Sequence, residues 1–168
     1  GRALVKLLAG FGMKPPLVFD PFVPGSVIAQ TGARAVTLDE LLAQADFVSI
    51  HCPLSEQTRN LIGARELDLM KSSAYLINTA RGGIVDEEAL IAALAQDRIA
   101  GAALDCFANE PLTAVPSFAS LDNVLLAPHC IAWTDGEPVV LFGVRDVVVV
   151  RANGRVLVMN RADAARLK

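Results

Sequence analysis

Three side chains in this sequence have the types and neighbours needed for proton and hydride chemistry on a small organic acid. Arg81 precedes a Gly-Gly pair, Glu110 precedes a proline, and His129 follows one. A guanidinium can clamp a substrate carboxylate and polarise an adjacent carbonyl, and an imidazole beside a carboxylate can donate or accept a proton. Together the three predict hydride transfer on a 2-keto acid, with His129 moving the proton.

The elements predicted to position these side chains are short apolar strands that alternate with helices. Strands are expected over 17–19, 47–50, 74–77, 100–104 and 124–126. Helices are expected over 1–11, from a capping box at 37–40 to residue 44, over 64–70, and over 87–95 with Asp86 as N-cap. This alternation predicts an α/β fold with a doubly wound parallel sheet, covered by helices on both faces.

Most of the candidate polar residues follow the predicted strands. In an open parallel sheet, ligands bind beyond the carboxyl ends of the strands. The residues at or just past those ends are Asp20, His51, Thr79 with Arg81, Asp105 and His129. One rim of the sheet is therefore expected to hold all of them.

The spacing between the start of the chain and Asp20 is typical of a dinucleotide site. Gly1 lies about 20 residues before Asp20, the usual interval between a glycine-rich fingerprint and the acid that binds the ribose hydroxyls. A carboxylate there repels a 2′-phosphate, so the preferred cofactor is NAD rather than NADP. The alternative is that Asp20-Pro21 is only a turn after a strand.

Composition excludes several other classes of function. The 168 residues carry 15 basic and 18 acidic side chains without a long block of one sign, which predicts neither a nucleic-acid partner nor a membrane partner. Three cysteines without a Cys-x-x-Cys pair argue against disulfides and zinc thiolates and favour a cytoplasmic location. No metal site, nucleophile elbow or P-loop is indicated.

Three segments resemble a known family. They are Asn-Thr-Ala-Arg-Gly-Gly-Ile-Val-Asp-Glu-Glu-Ala-Leu at 78–90, Ala-Leu-Asp-Cys-Phe-Ala-Asn-Glu-Pro at 103–111, and Ala-Pro-His at 127–129. In order and spacing they resemble the signature segments of the D-isomer-specific 2-hydroxyacid dehydrogenases of the phosphoglycerate-dehydrogenase-like kind. Over residues 1–134 the resemblance implies a partial Rossmann-type NAD-binding domain that acts on a small 2-hydroxy or 2-keto acid, in a homodimer.

The resemblance also implies a role for each matching residue. The implied catalytic set is Arg81 for the substrate, His129 for the proton, and Glu110 as the partner of the imidazole. The implied cofactor-binding set is Gly1 and Arg2 in the glycine-rich loop, Asp20 at the ribose, His51 and Pro53 by the adenosine half, Thr58 in the wall, and Thr79, Ala80, Arg81, Asp105 and His129 around the nicotinamide. Taken singly, Arg81 could instead cap loop carbonyls, Glu110 could be a solvated acid, and Thr58 could serve only its own loop.

The sequence departs from the family pattern at both ends. The first glycines of the loop, their strand and the preceding part of the substrate domain are not represented, so substrate specificity is not readable. Residues 135–168 are expected to lead back toward that domain, but the β-branched run at 141–150 fits either an altered helix or a strand. A non-catalytic NAD-sensing or interaction module is therefore the alternative function.

Overall fold

The computed structural model describes residues 1–110, 117–127 and 129, together with the backbone of two strands within 147–160. The helices are α1 (Arg2–Leu8), α2 (Gly25–Ala29), α3 (Leu38–Gln44), α4 (Ala64–Leu69) and α5 (Glu87–Ala95), with 3-10 turns at Ala9–Phe11 and Ser117–Ser120. The strands are β1 (Leu17–Val18), β2 (Arg34–Ala35), β3 (Phe47–Ile50), β4 (Tyr75–Asn78), β5 (Gly101–Leu104), β6 (Val124–Leu126), β7 (Val147–Ala152) and β8 (Arg155–Asn160).

Parallel pairing dominates the described part of the fold, as the alternation of elements predicts. Strands β3, β4, β5 and β6 form one parallel sheet in chain order. Strands β1 and β2 form a separate parallel pair. The remaining two strands, β7 and β8, form an antiparallel hairpin. The prediction of a parallel α/β sheet is therefore confirmed.

The core lies on one face of the four-stranded sheet. Alternate strand residues such as Val48, Leu76 and Leu104 are buried on this face, as a period of two requires. Leu42 of α3, Leu67 of α4 and Leu90 of α5 are fully buried in the same apolar cluster. Burying each such side chain stabilises the fold by about 1.5–3 kcal/mol. Helices α3 to α5 and this sheet thus give the strand ends a fixed platform.

Two helix starts are set by local side-chain chemistry, as predicted. The Thr37 hydroxyl accepts a hydrogen bond from the Glu40 amide at 3.2 Å, and the Glu40 carboxylate accepts one from the Thr37 amide at 2.9 Å. At α5, the Asp86 carboxylate accepts from the Ala89 amide at 3.1 Å. Each bond satisfies an amide that has no partner within its helix. The predicted caps are confirmed because they depend only on neighbours in sequence.

Some short elements differ from the sequence-based expectation. Helix α2 has five residues and β2 has two, and neither was predicted. Elements this short carry too few apolar positions to show a period, and β2 exists because it pairs with β1. Helix α1 ends at Leu8, and Gly12 follows with a φ of +66°.

The C-terminal part is only partly described. Residues 147–152 lie in β7, so the strand alternative is the correct one for the last four residues of the β-branched run. Antiparallel pairing with β8 suits β-branched residues, whose side chains are stiff and pack well on a pleated surface. Residues 141–146, the other part of that run, lie outside the described residues.

Candidate active site

The carboxyl ends of the four parallel strands meet at one edge of the sheet. Ile50 of β3 is in register with Asn78 of β4, which in turn is in register with Leu104 of β5. Leu104 is in register with Leu126 of β6. The candidate residues that directly follow these strands, and so lie at this edge, are His51, Thr79, Ala80, Arg81, Asp105 and His129.

A buried amide side chain holds the loop that follows β4. Asn78 is 2% exposed, and its Nδ2 donates to the carbonyl of Arg81 at 2.9 Å. Its Oδ1 accepts from the amide of Ala80 at 3.1 Å. Sequence reasoning missed this role, although an asparagine at the end of an apolar strand is a signal, because a buried amide needs hydrogen-bond partners. Asn78 therefore fixes the backbone from which Arg81 projects.

Arg81 presents its guanidinium at an exposed position of this loop. Its Nη1 donates to the carbonyl of Ala80 at 2.6 Å, which ties the side chain to its own loop. An arginine carries five donors, so this bond leaves others for a ligand. Its positive charge also helps to lower the pKa of Glu110, which places the two side chains within electrostatic reach of each other.

The loop after β4 contacts the loop after β5 directly. A Cβ atom added to Gly82 would lie 1.8 Å from the carbonyl oxygen of Phe107 and 2.5 Å from the amide nitrogen of Ala108. Only glycine permits that approach. The space beside Gly82 is taken by a backbone that is distant in sequence. By contrast, Gly83 has a φ of +75° and serves the turn itself.

Glu110 and His129 form the pair that the sequence predicts. The distance between His129 Nδ1 and Glu110 Oε2 is 2.7 Å, and Glu110 Oε1 accepts from the Phe107 amide at 2.7 Å. Partial burial opposes ionisation of Glu110, but the bonds from His129 and Phe107 outweigh it and hold its pKa below the ordinary value. An ionised carboxylate only accepts hydrogen bonds, so His129 carries a proton on Nδ1 and leaves Nε2 for a ligand.

The backbone of His129 adopts an unusual conformation. Its φ is +55°, in the left-handed region that residues other than glycine seldom occupy. Such positions cost of order 1 kcal/mol and persist where the surrounding structure holds them, often at functional sites. With half of its side chain exposed, His129 is thus held against Glu110 while remaining open to solvent.

The charge on Glu110 is expected to add stability only where the folded chain keeps it ionised. Its pKa lies below the ordinary 4.5, so the contribution is complete above about pH 4.5 and is lost as pH falls through the lower folded-state pKa. Urea unfolding should show wild type more stable than Glu110→Gln at about pH 6, with the difference shrinking on acidification. A difference that persists unchanged in strong acid would contradict this assignment.

The segment that leads from β5 to Glu110 begins with buried residues. Asp105 is 3% exposed, and its amide donates to the Asn78 carbonyl at 3.0 Å. Burial, reinforced by the charges of Glu110 and Asp105, raises the pKa of the Cys106 thiol to about 11. Cys106 therefore stays protonated at neutral pH, which argues against a thiolate nucleophile at this site.

The candidate cofactor residues lie around the start of α1 and the end of β3. Gly1 is the N-cap of α1, and a Cβ there would lie 3.9 Å from the Cβ of His51. Partial burial lowers the pKa of His51, whose Nε2 lies 2.9 Å from the Ser49 hydroxyl. Arg2 is exposed in the first turn of α1.

Asp20 lies past the end of β1, so the expectation that it shares the rim of the main sheet is wrong: among the described strands, β1 pairs with β2 and with no strand of the four-stranded sheet. Burial, with a contribution from the Asp20 charge, raises the pKa of the Cys52 thiol beyond the end of β3. The Asp20 Oδ1 accepts from the Phe22 amide at 3.0 Å, so the turn that the sequence offers as the alternative is present. The side chain is nevertheless exposed. An exposed carboxylate at the end of a strand has the acceptor chemistry that ribose hydroxyls require.

Thr58 serves its own loop. Its hydroxyl donates to the Pro53 carbonyl at 2.7 Å and accepts from the Ser55 amide at 2.8 Å. The same loop is joined to the Arg81 loop, because the Asn60 amide donates to the Gly83 carbonyl at 2.9 Å. Thr58 therefore positions Pro53 rather than presenting a free hydroxyl.

Taken together, these groups fit a dinucleotide. They are an exposed carboxylate past the end of β1, a glycine at the start of α1, and polar loops after β3, β4 and β5. Within the described ranges, no group of three or more metal-ligating side chains lies close enough to hold an ion. None of the helices in those ranges is long and apolar enough to cross a membrane.

Comparison with known proteins supports a dinucleotide-binding domain. The family profile described as D-isomer specific 2-hydroxyacid dehydrogenase, NAD binding domain, matches residues 1–130. An (S)-sulfolactate dehydrogenase from Chromohalobacter salexigens is 50% identical over 134 residues, which are 79% of this chain and 43% of that protein. A D-3-phosphoglycerate dehydrogenase from Synechocystis sp. is 43% identical over 135 residues, 80% of this chain and 24% of that protein.

A solved structure shows the same fold. The NAD-complexed D-isomer specific 2-hydroxyacid dehydrogenase from Lactobacillus delbrueckii ssp. bulgaricus has a TM-score of 0.68 and 36% identity, over 77% of this chain and 42% of that chain. This chain thus spans between about a quarter and just over two fifths of the proteins compared. The predictions of a Rossmann-type fold and of NAD as cofactor are confirmed. The chain belongs to the D-isomer specific 2-hydroxyacid dehydrogenase family, whose NAD-binding domain its first 130 residues form.

Proposed function

We propose that the protein containing this domain transfers a hydride between NAD(H) and a small D-2-hydroxy acid or its 2-keto acid. The observation that carries the proposal is the Glu110–His129 pair, 2.7 Å apart, at the edge of the sheet that also presents the exposed Arg81. A fixed cation and a carboxylate-paired imidazole are the groups that reduction of a charged keto acid requires.

Arg81 would hold the substrate carboxylate and polarise the adjacent carbonyl. Its loop is held in place because the Asn78 side chain donates a hydrogen bond to the Arg81 carbonyl and Gly82 packs against the neighbouring loop. Its planar donors match a carboxylate in two parallel hydrogen bonds, which fixes the substrate in position as well as neutralising its charge.

His129 would transfer the proton. Bound NADH supplies the hydride at the keto carbon. Glu110 holds the proton of His129 on Nδ1, so the opposite nitrogen Nε2, when protonated, donates to the oxygen that becomes the hydroxyl. In the oxidative direction the same Nε2 accepts the hydroxyl proton, and Glu110 stabilises the imidazolium that forms.

The cofactor-side assignments support NAD. We assign the ribose to Asp20, the adenosine half to His51 and Pro53, and the nicotinamide side to Thr79, Ala80 and Asp105. Gly1 and Arg2 at the start of α1 would approach the pyrophosphate, and Thr58 acts through Pro53. A homodimer and a cytoplasmic location stay predictions.

In the complete enzyme, Asp20→Ala is expected to weaken NAD binding by about 10-fold or more while weakening NADP binding less. The variant loses acceptors for the ribose hydroxyls but also loses the repulsion of a 2′-phosphate. Calorimetric titration of both cofactors measures the ratio. Asp122→Ala, an exposed aspartate before the amino end of β6, is the matched control and should leave both affinities unchanged. An unchanged ratio in Asp20→Ala would remove Asp20 from the site.

A chimera tests the proposed function as a whole. In the chimera, residues 1–130 of this chain replace the aligned segment of the Chromohalobacter (S)-sulfolactate dehydrogenase. The measurement is the oxidation of sulfolactate with NAD. We expect turnover that falls about 10²-fold or more in Arg81→Ala, because two charge-assisted hydrogen bonds are lost. The 168-residue chain alone should show no turnover, because it spans 43% of that relative.

The chimera also distinguishes the proposed function from the alternative, a non-catalytic module. A chimera that folds and binds NAD but turns over no substrate, while the parent enzyme is active, would contradict the proposal. That result would favour a non-catalytic NAD-sensing module.

A further inference from the structure

The loop that carries Glu110 is held by a second carboxylate, which belongs to another element. Glu87 is the first residue of α5, and its Oε1 accepts from the Ala108 amide at 2.6 Å. The preceding amide, that of Phe107, donates to Glu110 itself at 2.7 Å. Two consecutive amides of this loop are therefore bound by two carboxylates, one local and one from α5.

The anchor at Glu87 is rigid. Helix α5 begins at the Asp86 cap, and its Leu90, Ala93 and Leu94 are essentially fully buried in the core. On the other side of the loop, Gly82 lies against the backbone of Phe107 and Ala108 with no room for a methyl group. The Glu110 loop is thus confined between a fixed helix and the Arg81 loop.

Stabilisation of the helix start alone does not require this contact. A carboxylate anywhere in the first turn of a helix interacts favourably with the amides there, and the neighbouring Glu88 provides one at an exposed position. Glu87 differs from Glu88 because it reaches 21 residues along the chain to Ala108.

We propose that Glu87 is a positioning residue that sets the Glu110–His129 pair relative to Arg81. Its hydrogen bond to the Ala108 amide fixes the position of the loop backbone relative to α5, and so the position from which Glu110 reaches His129. The catalytic consequence rests on the proposed function, but the positioning itself is a property of the folded chain.

The positioning is measured without turnover, by the tautomer of His129 in the 168-residue chain. Long-range proton–nitrogen NMR correlations show which ring nitrogen of a neutral imidazole carries the proton. The sequence has two histidines, so His51→Gln assigns the spectrum. Wild type should show the proton on Nδ1, and Glu110→Ala should supply the reference for a lost pair.

Glu87→Asp is the deciding variant, because it keeps the charge at the helix start but withdraws the acceptor from Ala108 by one methylene. We expect its His129 nitrogen shifts to move from the wild-type values toward those of Glu110→Ala. Glu87→Gln keeps an oxygen acceptor at full length and should resemble wild type. Glu88→Asp, the matched control on the same turn, should also resemble wild type.

The outcomes are distinguishable. His129 shifts in Glu87→Asp that superimpose on wild type would overturn the proposal, even if the Ala108 amide exchanges faster with solvent. Shifts in Glu87→Gln equal to those of Glu87→Asp would also overturn it, because a variant that keeps the acceptor for the Ala108 amide would then position His129 no better than one that withdraws it. Neither result depends on whether the chimera is active, so failure of the proposed function is separately visible.

Discussion

Replacing His129 with Asn in the chimera is expected to lower kcat for sulfolactate oxidation by about 10²–10⁴-fold, the usual contribution of a positioned general acid or base. Asparagine is close in size and polar but cannot take up the substrate proton. Because Arg81 is intact, the KM should change much less than kcat. Steady-state kinetics with varied substrate at saturating NAD measures both constants.

Two variants make the His129 result specific. Glu88→Gln, which replaces an exposed carboxylate on α5 with an amide, should leave kcat unchanged. Glu110→Gln should lower kcat by less than His129→Asn, because the imidazole remains but loses the charge that stabilises its protonated form. If His129→Asn retains most of the wild-type kcat, proton transfer must be assigned to another group.

Replacing Gly82 with Ala is expected to destabilise the folded chain by about 3 kcal/mol, the upper part of the range for overpacking. The added Cβ would lie 1.8 Å from the Phe107 carbonyl oxygen, so a backbone segment has to move rather than a flexible side chain. Urea unfolding of the 168-residue chain measures the loss as a lower midpoint.

Gly10→Ala is the matched control for this prediction. A Cβ at Gly10 meets nothing within 4 Å, so the same added methyl group should cause no loss of stability. Equal unfolding midpoints for Gly82→Ala and wild type would mean that the two loops do not touch in solution. The Arg81 loop would then not confine the Glu110 loop.

The confinement has a consequence for how the site is assembled. Arg81 and Glu110 follow different strands, yet Gly82 and Glu87, both in the segment that follows β4, contact Phe107 and Ala108 of the next loop. A displacement of either loop would therefore move the other. The proposed substrate site at Arg81 and the proposed proton-transfer group His129 are thus linked by one continuous set of contacts.

The sequence by itself determined the elements whose causes are local. The β3 strand at 47–50, the β6 strand at 124–126 and the Asp86 cap occur as predicted, because apolar runs and capping side chains act through near neighbours. The rim of polar residues after β3 to β6 followed from the rule that parallel strands end at one edge, whereas Asp20 lies on the separate β1–β2 pair. Motif resemblance added the pairing of Glu110 with His129, whose contact the structure contains.

Only the tertiary structure decided what holds those residues in place. The pairing of β2 with β1, the closeness of Gly82 to Phe107, and the bond from Ala108 to Glu87 join positions that are 17 to 25 residues apart. Nothing in the periodicity or spacing of the sequence specifies such contacts, because they arise when separate loops are brought together by strand register and helix packing. The sequence therefore determined which groups could do the chemistry, and the packed loops decided their mutual geometry.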